Sequence, residues 1–570
     1  MLILFKKFEC GTMLVQPANK LEQEVFEVWK QVNPDAGYLN GLNELAGKVF
    51  VPGEESVKKV LQRIRELKVQ VAEGDRMTIK FLNDLDLTLQ FAEPHVPALQ
   101  ALTTIPAYIA KEGFNARHLA ELSNSFTGFF EAFRPLSKRE WSTEMKIFTT
   151  VECNGVLELV KMLKKNVRDP RARKSFNALA SEVLSYKKPF KVAGVKKGDF
   201  EEVFPILKKS RNPLSRPKIY PWCLKDFYDF LEIAEEVERK ALSWMREEKP
   251  LLDAVVSKLA KAYRVKPTVG NVDAAMKKKY KLKPSKIVKL TLELRKKAQP
   301  VFERLLVRVA PKYDCRIVPV PDYLKFYFPS AGMMPLDILT DKPFSVFFVN
   351  TDPKFNPPTT IPDILDLIVH EEYGHAVNFH NSAQQFVAKP SLLELVSTHL
   401  STPITEGMAF HWELLSLRVL DTLARKPESE LSAYEKAFLA ALRKYGPLDT
   451  FLLEYEFLVR KWRFVRFFRA ICDVRVNTGA QSLVQFVEWA HKETGIDRKI
   501  IFQQNVHFQE MPGYAPCYSV FGQSLRQIQD RALSLGADFV EFNSYVSSLG
   551  FPCRGVFESR LKRRYLEKEE

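Results

Sequence analysis

From about Glu22 to Leu306 the apolar residues of this chain recur at intervals of three and four, the period of one face of an α-helix. The rhythm is clearest over Val57–Leu67, Phe227–Met245 and Ile287–Leu306, and each stretch predicts an amphipathic helix. Proline and glycine break it near Pro52-Gly53, Pro94, Pro213–Pro221 and Pro267–Gly270, where a helix loses a donor or its stiffness. Near Cys315 the texture changes. Arg316–Val320 and Tyr323–Phe328 are short, β-rich and aromatic, and Phe344–Asn350 reads as a strand. Pro353–Pro358 makes a rigid connection, and Thr360 with Asp363 three residues on has the spacing of a helix start. From Ile364 to the end the helical period returns. No internal repeat or low-complexity linker interrupts the chain. The expected fold is mainly α and two-lobed: an N-terminal helical lobe over 1–310, then a lobe over 311–570. That second lobe carries a small β-sheet within 315–350, helices over 361–425 and further C-terminal helices.

Composition narrows the class. With 570 residues, 46% hydrophobic and 27% charged, the chain can bury large cores and reads as an ordinary globular protein. No apolar run approaches the length of a membrane span, so no membrane partner is expected. The opening Met1–Phe5 is too short for the core of a signal peptide. Met13 begins a more ordinary start, so the first dozen residues are expected to be either a tail or a misplaced start, and no function is assigned to them. Seven cysteines are scattered with no CxxC pair, which predicts reduced thiols, a cytoplasmic location and no cysteine-type zinc site. The formal charge of +16 raises the question of nucleic acid. However, the basic residues concentrate in Lys258–Lys297 without any nucleic-acid-binding signature. A solvated lysine-rich surface is expected there, with no nucleic-acid partner.

The chemistry concentrates in His370-Glu371-Glu372-Tyr373-Gly374-His375, set in an otherwise apolar helical stretch. Imidazole and carboxyl groups on a buried face are costly unless something takes up their polarity. A zinc ion held by both imidazoles, one per chain, with Glu371 as general base, would do so. In a regular helix, side chains five apart are about 140° apart in projection, so both rings reach one ion only if the turn carries an extra residue, as in a π-type bulge. Gly374 is expected to ease that distortion. A third ligand must come from a later helix. Glu406 is preferred, in a helix expected to be capped by Thr402 with Pro403 in its first turn. Glu413, seven residues on, returns to the same face and suits a carboxylate orienting a histidine. Glu394, nineteen residues after His375, is the alternative, although Ser391 through Glu394 also has the pattern of a capping box.

The motif resembles the lengthened His-Glu-x-x-Gly-His of dipeptidyl peptidase III. Its surroundings are similar to a large family of prokaryotic proteins related to the thimet oligopeptidase and carboxypeptidase Taq metallopeptidases. The resemblance rests on Val318-Pro319, Phe347–Thr351, the motif, Glu406–Ala409 and Pro512–Tyr518 in that order, over roughly residues 315–535. That family often has a proline and a different length within its motif, and a tryptophan where Met408 stands here. The resemblance implies a gluzincin-type zinc metallopeptidase with a deep cleft, acting on short peptides as a carboxypeptidase or oligopeptidase. Tyr514 and Tyr518 would then stabilise the developing oxyanion, as a neutral hydroxyl donor can, and His507 would correspond to an upstream histidine of the family. Phe344–Asn350 resembles the edge strand that pairs with substrate backbone. Arg469, Arg475 and Arg526 are candidates for binding a terminal carboxylate. Two other classes remain open. Glu372–His375 and Glu488–His491 are Glu-x-x-His pairs of the kind used by di-iron carboxylate oxidoreductases, and the net charge alone leaves a basic nucleic-acid-binding protein.

Overall fold

A computed structural model describes residues 14–325, 328, 330–354, 357–396 and 398–567. The tail before residue 14, with the start at Met13 and Cys10, lies outside the described residues, as do parts of the 323–328 and 353–358 segments. The fold is mainly α. Among the described residues no helix is long and apolar enough to cross a membrane, and the six described cysteines are free and buried.

The predicted helices are present, with informative end shifts. Val57–Leu67 lies within a helix over Glu54–Lys68, and Ile287–Leu306 corresponds to α2 (Ile287–Leu305). The helix expected from Phe227 instead starts at Ala234 and runs to Tyr263 (α1). Before it, Cys223–Phe227 form a separate wide turn, and Asp229 takes a positive φ of 46°. The buried Asp229 carboxylate accepts from Arg76 at 2.8 Å and from the Gly555 backbone at 2.8 Å. Long-range pairing holds the break open where apolar periodicity alone would continue the helix.

The sheet contains β1 (Cys315–Pro319), β2 (Ala331–Leu336) and β3 (Phe344–Val349) in the order β1-β3-β2. β1 runs parallel to β3, with Cys315 opposite Ser345 and Pro319 opposite Val349. β2 is antiparallel to β3, with Ala331 opposite Val349 and Leu336 opposite Phe344. The resemblance implied an edge strand at Phe344–Asn350, but β3 is central and both its backbone edges are paired. Its two faces feed two cores, as the period of two requires. Phe344, Val346 and Phe348 pack with Leu324 and Leu336, while Phe347 and Val349 join the main helical core.

That main core draws residues from both sides of the boundary expected near residue 310. It joins Trp29, Ile64 and Phe302 to Tyr373, Trp412 and Phe521. A second core sets Met245 and Leu259 of α1 against Phe467 and Ile471. A third, with Phe126, Phe130, Phe176 and Tyr186, lies wholly within the N-terminal stretch. The first 310 residues thus build one core of their own and share the others with the rest of the chain.

Candidate metal centre

Three helices and one wide turn converge where the sequence places its histidines. The first helix, α3 (Ile361–Leu367), starts at a reciprocal cap: Asp363 N–H donates to Thr360 Oγ1 at 3.1 Å and Thr360 N–H donates to Asp363 Oδ2 at 2.8 Å. Its continuation, Ile368–Ala376, is a π-helical turn before α-geometry resumes at Val377. Hydrogen bonding from i to i+5 stacks residues five apart. The His370 and His375 rings accordingly lie with centroids 4.9 Å apart and planes at 88°. Gly374 serves this turn differently from the expectation. It is not among the glycines with positive φ. What matters is space, since a Cβ there would stand 2.5 Å from Ala409 Cβ and 2.6 Å from its Cα.

Ala409 belongs to α4 (Ser401–Arg425). This helix begins at Ser401, not after a Thr402 cap, and the Ser401 and Thr402 amides donate to the carbonyls of Thr398 and His399. Glu406, Ala409 and Glu413 share one face at helical spacing, and that face meets the π-turn. On the other side, α4 packs against α6 (Ala515–Ser534) through two facing glycines. A Cβ on Gly407 would lie 2.9 Å from Gly522 N, and one on Gly522 would lie 2.8 Å from Gly407 O. Tyr514 forms the N-cap of α6, and Pro516 occupies its first turn as the sequence suggested.

Glu406 Oε2 stands 3.8 Å from His370 Nε2 and 3.7 Å from His375 Nε2. It is buried and accepts no hydrogen bond from a described residue. Among the described residues these three side chains form the one cluster able to hold a metal ion, with all ligand atoms within 4.8 Å of one another. Bonds of about 2.0–2.1 Å at tetrahedral angles put donors roughly 3.4 Å apart, so each imidazole stands within a few tenths of an ångström of that spacing from Glu406 Oε2. Two imidazoles and one carboxylate with an open fourth position are the donors a catalytic zinc takes.

The surroundings orient each donor. His370 Nδ1 lies 2.7 Å from Glu413 Oε1, which leaves Nε2 facing Glu406. Glu413 is fully buried and receives Arg466 Nη1 and Nη2 at 2.6 and 2.7 Å. Burial opposes its ionisation, but Arg466 and His370 outweigh burial and hold this carboxyl below its usual range. Burial also opposes charge on His370, yet the Glu413 contact prevails and raises it. Burial depresses His375 to about 4, so it stands as a neutral imidazole. Burial pushes Glu371 up to about 7, with Glu406 adding to the rise and His370 opposing it. No described residue hydrogen-bonds the Glu371 carboxyl. The Tyr514 hydroxyl donates to Glu406 Oε1 at 2.5 Å and lies 3.4 Å from the Tyr518 hydroxyl.

Other candidates fall elsewhere. Glu394 accepts from Ser391 N at 2.8 Å and pairs with Arg560 at 2.6 Å, so it closes a turn and is not part of the cluster with His370 and His375. His507 carries a 72% exposed side chain and pairs with Glu510 at 3.4 Å; no described contact joins it to the three donors. Glu372 turns away from His375 and receives Arg295 at 2.7 Å and Tyr313 at 3.1 Å. Glu488 pairs with Arg498, and His491 contacts the Ile496 carbonyl. The two Glu-x-x-His pairs therefore share no point. His380, His399 and His411 go to Ser345, Asp84 and Gln529. Sequence reasoning missed Arg466. Its only signal was indirect: a carboxylate at Glu413 buried behind a ligand requires a cation.

The fold resembles that of two solved structures. One is described as "the putative lipoprotein from Colwellia psychrerythraea", with a TM-score of 0.65 and 12% identity over 96% of this chain and 99% of that one. The other, "a putative lipoprotein of unknown function from Shewanella oneidensis", has a TM-score of 0.60 and 14% identity over 96% and 100%. At such identities the likeness is one of fold. No protein-family model matches the chain, and no curated protein matches it.

Proposed function

We propose that this protein is a zinc-dependent peptidase acting on short peptides. The observation that carries the reading is the convergence of His370 Nε2, His375 Nε2 and the unpartnered Glu406 Oε2, with the buried Glu371 carboxyl beside them. Bound there, zinc would supply Lewis-acid polarisation and a more acidic water. The chain's own residues do the rest. Glu413, backed by Arg466, fixes the His370 ring so that Nε2 faces the centre. Glu371, raised toward neutrality, accepts a proton from the attacking water and delivers it to the leaving amine. Tyr514 holds Glu406 Oε1 and so directs Oε2 inward. Tyr518, whose hydroxyl has only Tyr514 as a described partner, is the freer donor for negative charge on the substrate carbonyl oxygen. The substrates are short peptides, and the protein is proposed to work in the cytoplasm without nucleic acid or membrane.

The test is Glu371→Gln, assayed for bound metal and for hydrolysis of a mixed peptide library. Metal content is expected to stay at one zinc per chain while hydrolysis falls by at least about a hundredfold, the scale for losing a general base. Unchanged cleavage would remove Glu371 from this role, and absence of stoichiometric zinc in the parent would remove the reading itself.

A further inference from the structure

Three arginines step along α5 (Leu448–Thr478) behind the centre at intervals of three residues. Arg463 has Glu248 at 3.4 Å and Arg466 has Glu413 at 2.6 Å. Arg469 has no carboxylate within ion-pair distance among the described residues. Its Nε donates to the Gln504 carbonyl at 3.0 Å and its Nη2 to the Gln504 side-chain oxygen. These two bonds use two of the five guanidinium hydrogens and leave the outer Nη1/Nη2 edge, the fork that grips a carboxylate through two parallel bonds. The other two arginines that the sequence suggested are spoken for. Arg475 pairs with Glu238 at 2.6 Å and stacks on Trp489, and Arg526 faces Asp530 on the surface.

The position of Arg469 ties it to the centre. Its guanidinium lies 4.5 Å from the Phe508 ring centroid, and that ring sits 5.6 Å from Tyr514 and 6.2 Å from Tyr518. One aromatic ring therefore separates Arg469 from the tyrosine pair, and Tyr514 in turn holds Glu406. Burial lowers the Arg469 guanidinium to about 10, Arg466 adding to the fall while Tyr518, Tyr514 and Glu406 oppose it. A half-buried cation with no carboxylate in ion-pair distance among the described residues, beside an apolar ring and a candidate catalytic centre, calls for an anion brought by the ligand.

We propose that Arg469 anchors the terminal carboxylate of a peptide lying across Phe508, Tyr514 and Tyr518, so that the protein cuts near carboxyl ends. This rests on the peptidase reading above and names its substrate class as short peptides with a free carboxyl terminus. An extended chain advances about 3.3–3.6 Å per residue, so a cation one ring away reaches a carboxylate about one to three residues beyond the cleaved bond. Arg475 and Arg526 play no part in it.

The experiment measures binding, so that it does not depend on turnover. Tri-alanine with a free carboxylate and its carboxamide are titrated calorimetrically into full-length Glu371→Gln protein, zinc-loaded and metal-free. The free acid is expected to bind at least about tenfold tighter than the amide in both forms, the scale of a charge-assisted pair. Adding Arg469→Met should erase that ratio, and Arg469→Lys should restore part of it, because a point charge replaces a fork. Arg469→Gln, which keeps a donor for Gln504, serves if the methionine variant does not fold. Equal binding of acid and amide, binding of neither, a ratio that survives loss of Arg469, or a preference seen only with zinc present each overturns the anchor. Failure of the peptidase reading shows separately: the parent would leave acid and amide uncleaved while the binding ratio still reports on Arg469.

Discussion

Gly374→Ala adds one methyl group where the π-turn and α4 are nearest. The new carbon would stand 2.5 Å from Ala409 Cβ and 2.6 Å from Ala409 Cα, whereas carbons rest about 3.5–4.0 Å apart. Neither atom can swing away, because both are fixed to the α4 backbone. The two elements must therefore part by about 1 Å, an overpacking that costs about 1–3 kcal/mol. The same two elements carry the donors, with His370 and His375 on the turn and Glu406 on α4, at 3.8 and 3.7 Å. Metal bonds tolerate about 0.2 Å of error, so a shift of that size opens the donor set beyond repair by side-chain rotation. Urea unfolding followed by circular dichroism should show the loss of stability. Competition with a chromogenic chelator should show zinc affinity at least about tenfold weaker, comparable with losing a partner that orients a ligand. A variant within about 0.5 kcal/mol of the parent, the range of an inert surface change, and with parental zinc affinity would refute the argument that this approach sets the site.

Two further perturbations probe the electrostatics. Glu413→Gln keeps the shape but leaves the Arg466 charge buried without its carboxylate. Urea unfolding should show a loss of about 3–5 kcal/mol and chelator competition a zinc affinity about 10- to 100-fold weaker; parental values in both would exclude Glu413 as the group that orients His370. Glu144 tests pH dependence away from the centre. Burial raises it to about 7, against hydrogen bonds from its own backbone and from Leu214 N at 3.0 Å. Its folded pKa lies above the unfolded value, so its contribution is full below about pH 4.3 and is lost as pH rises through about 7. Glu144→Gln cannot ionise and keeps an acceptor for Leu214. Its stability relative to the parent should therefore rise by about 3 kcal/mol between pH 4 and pH 8, and a pH-independent difference in urea midpoints would contradict that assignment.

The clustering of His370, His375 and Glu406 was legible because its signals are local. The spacing from His370 to His375 demanded an extra residue in a turn, and Ile368–Ala376 provides it. Glu413 returning to the face of Glu406 after seven residues foretold a carboxylate orienting a histidine, and it lies 2.7 Å from His370 Nδ1. What the sequence hid depends on partners far along the chain. Gly374 looked like a source of flexibility, but its necessity comes from Ala409, thirty-five residues on. The charges that neutralise buried carboxylates arrive from distant helices, Arg466 at Glu413 and Arg295 of α2 at Glu372. No short window contains both members of such a pair. Contacts across the expected lobe boundary are hidden for the same reason: Glu248 of α1 and Arg463 of α5 sit 215 residues apart and meet as an ion pair.

The sheet is a different case, because there the sequence held the answer. Phe344–Val349 is an unbroken run of apolar and small residues, the pattern of a strand covered on both faces. Ala331–Leu336 contains Gly332 and Pro335, and proline cannot donate to a ladder, which confines it to an edge or a bulge. Weighed together, the two segments assign β3 to the centre and β2 to the rim, as found. This assignment moves the chemistry as well as the topology. β2 packs against the π-turn that carries both histidines, and among the described residues no other strand pairs with its outer side. An extended peptide that lengthened this sheet would add beside β2, with Pro335 leaving one position unable to donate. A substrate reading built on pairing with β3 would require the sheet to come apart. One built on β2 requires no rearrangement, and it runs the peptide past the same turn that presents Glu371.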